Sequence, residues 1–151
     1  MHESVQAEVM MSFLVSEELS FRIPVELSYR TCDPYAVRFT FHLPGDSPVT
    51  WAFGRELLYG GLRGACGEGD VRIAPDCPED EGESAVRDTV LIRLQVGHEQ
   101  AVFRVGAAPL AAFLDRTGRI LPLGEERGLA DYDALIDRAL DRILAEEPSA
   151  G

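Results

Sequence analysis

Apolar residues recur at every second position through most of the first hundred residues, and this period of two commits the chain to strands more firmly than any other feature. Val5, Ala7, Val9, Met11, Phe13 and Val15 share one face of an extended segment, with Gln6, Glu8, Met10, Ser12 and Leu14 on the other. The pattern returns at Phe21, Ile23, Val25, Leu27 and Tyr29, where Pro24 removes a ladder donor and predicts an edge or bulged strand. Asp33-Pro34 then reads as a turn. Val37, Phe39, Phe41 and Leu43 form the next inward row and Val49, Trp51 and Phe53 another, joined through "PGDSP" as a hairpin. "DVRIAP" is a brief strand, and a further hairpin sets Val90, Ile92, Leu94 and Val96 against Ala101, Phe103 and Val105 around "GHEQ".

The helical period appears in three places. Arg55 to Leu62 reads as a short helix stopped by glycines. Ala107 to Arg116, with Pro109 in its first turn and Leu110, Phe113 and Leu114 on one side, reads as a second helix stopped by Gly118. From Asp131 to Glu147 an apolar stripe of Tyr132, Leu135, Ile136, Ala139, Leu140, Ile143 and Leu144 predicts a last helix. Strands dominate the front and helices the end, which predicts an α+β fold: an antiparallel curved sheet or partly closed barrel with helices packed on it. With 151 residues, 46% of them apolar, the chain has material for one core. A single domain is therefore expected over residues 1–147, with 148–151 frayed.

The glycine-rich stretch "WAFGRELLYGGLRGACGEGDV" (51–71) invites comparison with a phosphate-binding loop. A Walker loop needs a lysine to reach the phosphates, and all fourteen basic residues here are arginine. A dinucleotide fingerprint places its glycines between a strand and a following helix, whereas these follow a helix and precede a strand. Cys66 lies in the stretch with no histidine near it in sequence to activate it as a nucleophile. Cys32, Cys66 and Cys77 form no C-x-x-C, and His2, His42 and His98 form no ligand motif, so neither a metal nor another cofactor is expected. No catalytic motif emerges, and the chain is not expected to be an enzyme. Trp51 and Phe53 share a face with Val49, which reads as core packing; the other reading, with Tyr59, is a platform for stacking bases. Arg55 has Glu56, Asp70 or a partner's carboxylate as candidate counterions at the surface.

A net charge of −12 argues against nonspecific nucleic-acid binding, which draws on cation–phosphate contacts. The acids concentrate in 76–88, six against one arginine, and in 129–147, six against two. Both read as solvated segments or as surfaces for a basic partner. The first residues show no signal-peptide pattern and no apolar run reaches bilayer length, so a cytoplasmic location without membrane insertion is expected. Met10, Leu14, Leu91 and Val102, on the second faces of their strands, need cover from helices or from another subunit, so a homo-oligomer is expected.

Three blocks resemble the SsgA-like proteins of sporulating actinomycetes: "DPYAVRFTFH" (33–42), "WAFGRELLYGGL" followed by "GEGDVRIAP" (51–75), and Pro109 then "FLDRT" with "PLGEE" after it (109–126). Their order and spacing agree from about residue 5 to 145. The resemblance implies regulators of sporulation-specific cell division and wall remodelling, one of which recruits the tubulin-like protein FtsZ to septum sites. It implies a whirly-type fold assembled as a trimer, with division or wall-synthesis proteins, FtsZ, or another SsgA-like protein as partners. The family-motif positions are Asp33, Pro34, Tyr35, Trp51, Phe53, Arg55, Leu58, Gly61, Leu62, Gly69, Asp70 and Val71, expected to act structurally or in partner binding.

Overall fold

The structure is a computed structural model that describes residues 3–76, 89–126 and 138–140. Eight strands form one antiparallel sheet: β1 (Ser4–Leu14), β2 (Ser20–Arg30), β3 (Ala36–Phe41), β4 (Val49–Gly54), β5 (Cys66–Glu68), β6 (Val71–Pro75), β7 (Thr89–Val96) and β8 (Glu99–Gly106). The spatial order is β4-β3-β2-β1-β8-β7-β6-β5, two four-stranded meanders joined through β1 and β8. That junction is short, pairing Ser12 with Arg104, Phe13 with Phe103 and Leu14 with Val102. Helix α1 (Arg55–Gly61) follows β4 directly, and α2 (Ala107–Ile120) follows β8.

The sheet curls into a nearly closed barrel because its apolar face must be covered, and the expected α+β architecture is the one observed. Inside it Phe41 of β3 lies 4.5 Å from Phe103 of β8, a strand that is not its neighbour, and Phe103 in turn stacks at 4.9 Å on Phe13 of the adjacent β1. Phe39 meets Phe53 edge-on at 4.8 Å. Ile23, Val25, Leu27, Tyr29, Val37, Ile73, Ile92 and Leu94 are buried beside them, on the faces that the alternation assigned. The strand ends differ: Val15 lies beyond β1, and Phe21, Val49 and Val96 are 45%, 42% and 55% exposed. Alternation sets the face a residue points to, but not how far the core reaches along the strand.

Pro24 sits in an interior strand rather than at an edge. Strand β2 lies between β1 and β3, but the β2–β3 ladder ends at Val25–Phe41, one residue before Pro24 reaches it. The Pro24 carbonyl accepts from His42 N at 3.2 Å just past the end of β3, so its missing N–H falls where no ladder donor is required. The "GHEQ" hairpin tightens to a two-residue turn, with Val96 opposite Glu99 and Gly97 at φ 61°, the first central position where that turn favours glycine.

Helix α2 runs through Gly118 to Ile120 instead of stopping there. Thr117, one turn beyond Phe113 and Leu114, is buried, so packing holds the helix past the glycine. The glycine-rich stretch also contains β5, a strand that periodicity did not reveal. Gly61 is where α1 lies flat on β6: a Cβ there would stand 2.3 Å from Ile73 Cγ2. The last predicted helix and the acidic segment from Cys77 onward fall outside the described residues, except that 138–140 are helical.

Candidate protein-docking cleft

The three motif blocks, distant in sequence, meet around Arg55. Its side chain is 1% exposed and pairs with Glu126, which is 3% exposed. Nε lies 3.2 Å from Glu126 Oε1, and Nη2 also donates to that oxygen. Nη1 donates to the Leu121 carbonyl at 2.7 Å and, at 3.4 Å, to the Thr117 carbonyl and hydroxyl; Nη2 reaches the Pro122 carbonyl at 3.3 Å. The guanidinium thus satisfies carbonyls left open where α2 ends, and its charge complements the negative end of the helix dipole. Its Cζ lies 4.7 Å above the Tyr29 ring, a cation–π contact.

The "DPY" turn joins the same network. Tyr29 Oη donates to the Pro34 carbonyl at 3.0 Å, and Arg55 N donates to the Tyr35 carbonyl at 2.7 Å. Asp33 pairs with Arg38 at 3.0 Å. Burial pushes the Glu126 carboxyl up, but hydrogen bonds from Arg55 and from the backbone of Glu126 and Gly124, with the guanidinium's attraction, outweigh it and hold the group below its ordinary value. Burial pushes the Tyr29 phenol up, and Glu126 and Asp33 add to this against the opposing pull of Arg55. The expectation of a surface pair with Glu56 or Asp70 is therefore corrected: Arg55 is internal, and its counterion lies 71 residues further on.

This network anchors one wall of the gap in the barrel. The unpaired edges of β4 and β5 flank a cleft of about 640 Å³, lined by residues of both edges and by the neighbouring turns. Tyr35, 51% exposed, and the half-buried Trp51 present rings to it, and Glu56, Glu68 and Asp70 present exposed carboxylates. The edges come close near α1, where a Cβ on Gly54 would stand 3.5 Å from Glu68 Oε2. None of these three carboxylates has an ion-pair partner among the described residues. Among the described residues the outer edge of β4 has no strand partner, so the site offers its backbone donors and acceptors together with ring faces and negative charge. That combination suits an extended peptide carrying Arg or Lys.

Of the motif positions, Tyr35, Trp51, Phe53, Asp70 and Val71 line the cleft. Phe53, Leu58 and Val71 are core residues, Gly61 is the close-packing point of α1, and Gly69, at φ 59°, turns β5 into β6. Leu62 lies with Arg55 at a second pocket of about 480 Å³ between α1 and α2. Asp33 and Pro34 stay in their turn, away from the cleft lining. Glu68 and Glu126 are cleft residues that sequence reasoning missed, because each looked like one more acid in an acidic chain, and Glu56, considered only as a counterion of Arg55, lines the cleft as well. Cys32 and Cys66 are free thiols, and no cluster able to hold a metal occurs among the described residues. No helix among them is long and apolar enough to cross a membrane.

Comparison with known proteins places the chain in a family. The family model described as Streptomyces sporulation and cell division protein, SsgA, matches residues 23–126, which hold all three blocks and the Arg55–Glu126 pair. The sporulation-specific cell division protein SsgB of Thermobifida fusca is 40% identical over 133 residues, 88% of this chain and 92% of that protein. SsgB of Streptomyces coelicolor is 37% identical over 146 residues, 97% of this chain and 99% of that protein. The solved SsgA-like sporulation-specific cell division protein of Thermobifida fusca has a TM-score of 0.78 at 38% identity, covering 91% of this chain and 96% of that one. A structure from a study of SsgB mutations that correlate with longitudinal cell division during sporulation of Streptomyces coelicolor has a TM-score of 0.74 at 36% identity, covering 85% and 97%. The chain belongs to the SsgA family of sporulation and cell division proteins.

Proposed function

We propose that this chain is a non-catalytic adaptor of sporulation-specific cell division, one that docks a division or wall-synthesis protein, FtsZ foremost, at septum sites. The observation that carries this reading is the cleft between β4 and β5. Among the described residues two strand edges without a partner flank rings and carboxylates that make no ion pair, and motif blocks of the family supply the lining. A basic, extended segment of the partner adds to the β4 edge through main-chain hydrogen bonds, and its cationic side chains meet Tyr35, Trp51, Glu68 and Asp70. We further propose that the protein acts in the cytoplasm as a homo-oligomer, most simply a trimer.

Binding of single-stranded nucleic acid is the weaker reading. Of the three rings that could form a stacking platform, Phe53 is buried in the core and Trp51 lines the cleft with carboxylates that repel phosphate. Tyr59, 37% exposed, lies outside the cleft with Arg63 4.4 Å over its ring, so the three form no common platform. The test is fluorescence imaging of the tagged full chain with labelled FtsZ in sporulating Streptomyces hyphae. The expected result is co-localised ladders before constriction, lost when Glu68→Arg and Asp70→Arg are introduced together. A diffuse signal from the unmodified chain would overturn the proposal.

A further inference from the structure

The outer face of the sheet concentrates positive charge in a chain whose net charge is −12. Arg22, Arg72, Arg93 and Arg104 occupy outward positions on β2, β6, β7 and β8. Ser12 of β1 stands between Arg22 and Arg104 in register, Arg104 is opposite Leu91, and Arg93 is directly opposite Arg72. Five adjacent strands carry the group across about 20 Å, the length of about six extended residues.

Arg104 pairs with Asp76 at 2.8 Å, while Arg22, Arg72 and Arg93 have no ion-pair partner among the described residues. Like charges opposite one another across strands destabilise a sheet, so the Arg72–Arg93 position works against folding unless an anion meets it. The stem of Arg72 lies across Gly67, whose added Cβ would stand 3.2 Å from Arg72 Cγ. Half-buried Leu14, Leu91 and Val102 lie between the arginines: Leu14 opposite Val102, and Val102 opposite Arg93. No outward residue of these five strands carries an aromatic ring.

From this we infer that the outer face of β2-β1-β8-β7-β6 is a second docking surface, separate from the cleft, that takes a short acidic polypeptide segment bearing aliphatic residues. Arginine forks bind its carboxylates bidentately, and the intervening Leu14, Leu91 and Val102 take its aliphatic side chains. A nucleic acid fits less well, because the face offers no ring for bases to stack on, and a long polyanion meets the net negative charge beyond the patch.

The test is fluorescence anisotropy of a short fluorescein-labelled peptide of glutamate interspersed with leucine, titrated with the full chain at low and high salt. The expected result is binding that weakens with salt and falls at least about tenfold in the Arg72→Ala, Arg93→Ala double variant. That variant should unfold at an equal or higher urea midpoint, which separates lost binding from a lost fold. Three results would overturn the inference: peptide affinity unchanged in the variant; an oligothymidylate binding the same arginines more tightly than the peptide; or a smaller particle by light scattering in the variant with no peptide bound by either form, which would make the face a contact between copies.

Discussion

Replacing Arg55 by Met should be among the most damaging single changes in the protein, although it conserves bulk. Glu126 would be left as a buried carboxylate without its guanidinium, and the Thr117, Leu121 and Pro122 carbonyls would lose a donor. Breaking a buried pair from one side costs about 3–5 kcal/mol, a large share of the 5–15 kcal/mol that stabilises a typical domain. Glu126→Gln should sit near the lower end, about 3 kcal/mol, because the carbonyls still surround the cation. The pair Arg55→Met with Glu126→Leu should recover about 1–3 kcal/mol of the summed losses, since no charge remains buried. Urea unfolding followed by fluorescence of the single tryptophan, Trp51, reads this directly. With a slope of about 2 kcal/mol per molar, a loss of 3 kcal/mol moves the midpoint by about 1.5 M. The sign with pH is also fixed. Glu126 titrates lower in the folded than in the unfolded chain, so its contribution is full above the unfolded value and disappears as pH falls through the folded one. The gap between wild type and Glu126→Gln should therefore be greatest at neutral pH and shrink below about pH 4. Single variants within about 0.5 kcal/mol of wild type, or an additive double variant, would refute the reasoning.

Gly61→Ala should destabilise by about 1–3 kcal/mol through the clash with Ile73, whereas Gly118→Ala, with open space around its Cβ inside α2, should stabilise by about 0.5–1 kcal/mol; thermal unfolding of the two variants checks the opposite signs. Tyr29→Phe leaves the Pro34 carbonyl without its donor and should cost about 1–2 kcal/mol at neutral pH. Because the folded phenol titrates above its unfolded value, that contribution should be lost as pH rises through the folded value, which urea midpoints measured on both sides of pH 10 will show.

The fold was legible where local period and global burial agree. Residues 23, 25, 27 and 29 of β2 and 90, 92 and 94 of β7 face inward because a strand with one covered face admits no other register. Pro24 was misplaced because its tolerance depends on where β3 ends, a fact held by another strand. Gly118 was read as a stop because helix propensity is a weak prior beside the packing of Thr117. The three-residue β5 is too short and too rich in glycine to show a period. In the cleft, Tyr35, Trp51 and Asp70 were already marked by the motif blocks, but their meeting with Glu56 and Glu68 depends on the sheet curling until β4 faces β5. Nor does sequence announce that Glu126, among 26 acids, is the one that is buried.

Co-sedimentation of the purified full chain with FtsZ polymers tests docking at the cleft most directly. The wild-type chain should pellet with the polymers, and the variant carrying Glu68→Arg and Asp70→Arg should stay in the supernatant while unfolding at the wild-type urea midpoint. Equal pelleting of the two proteins would contradict docking at the cleft, and no pelleting of either would contradict FtsZ as the partner.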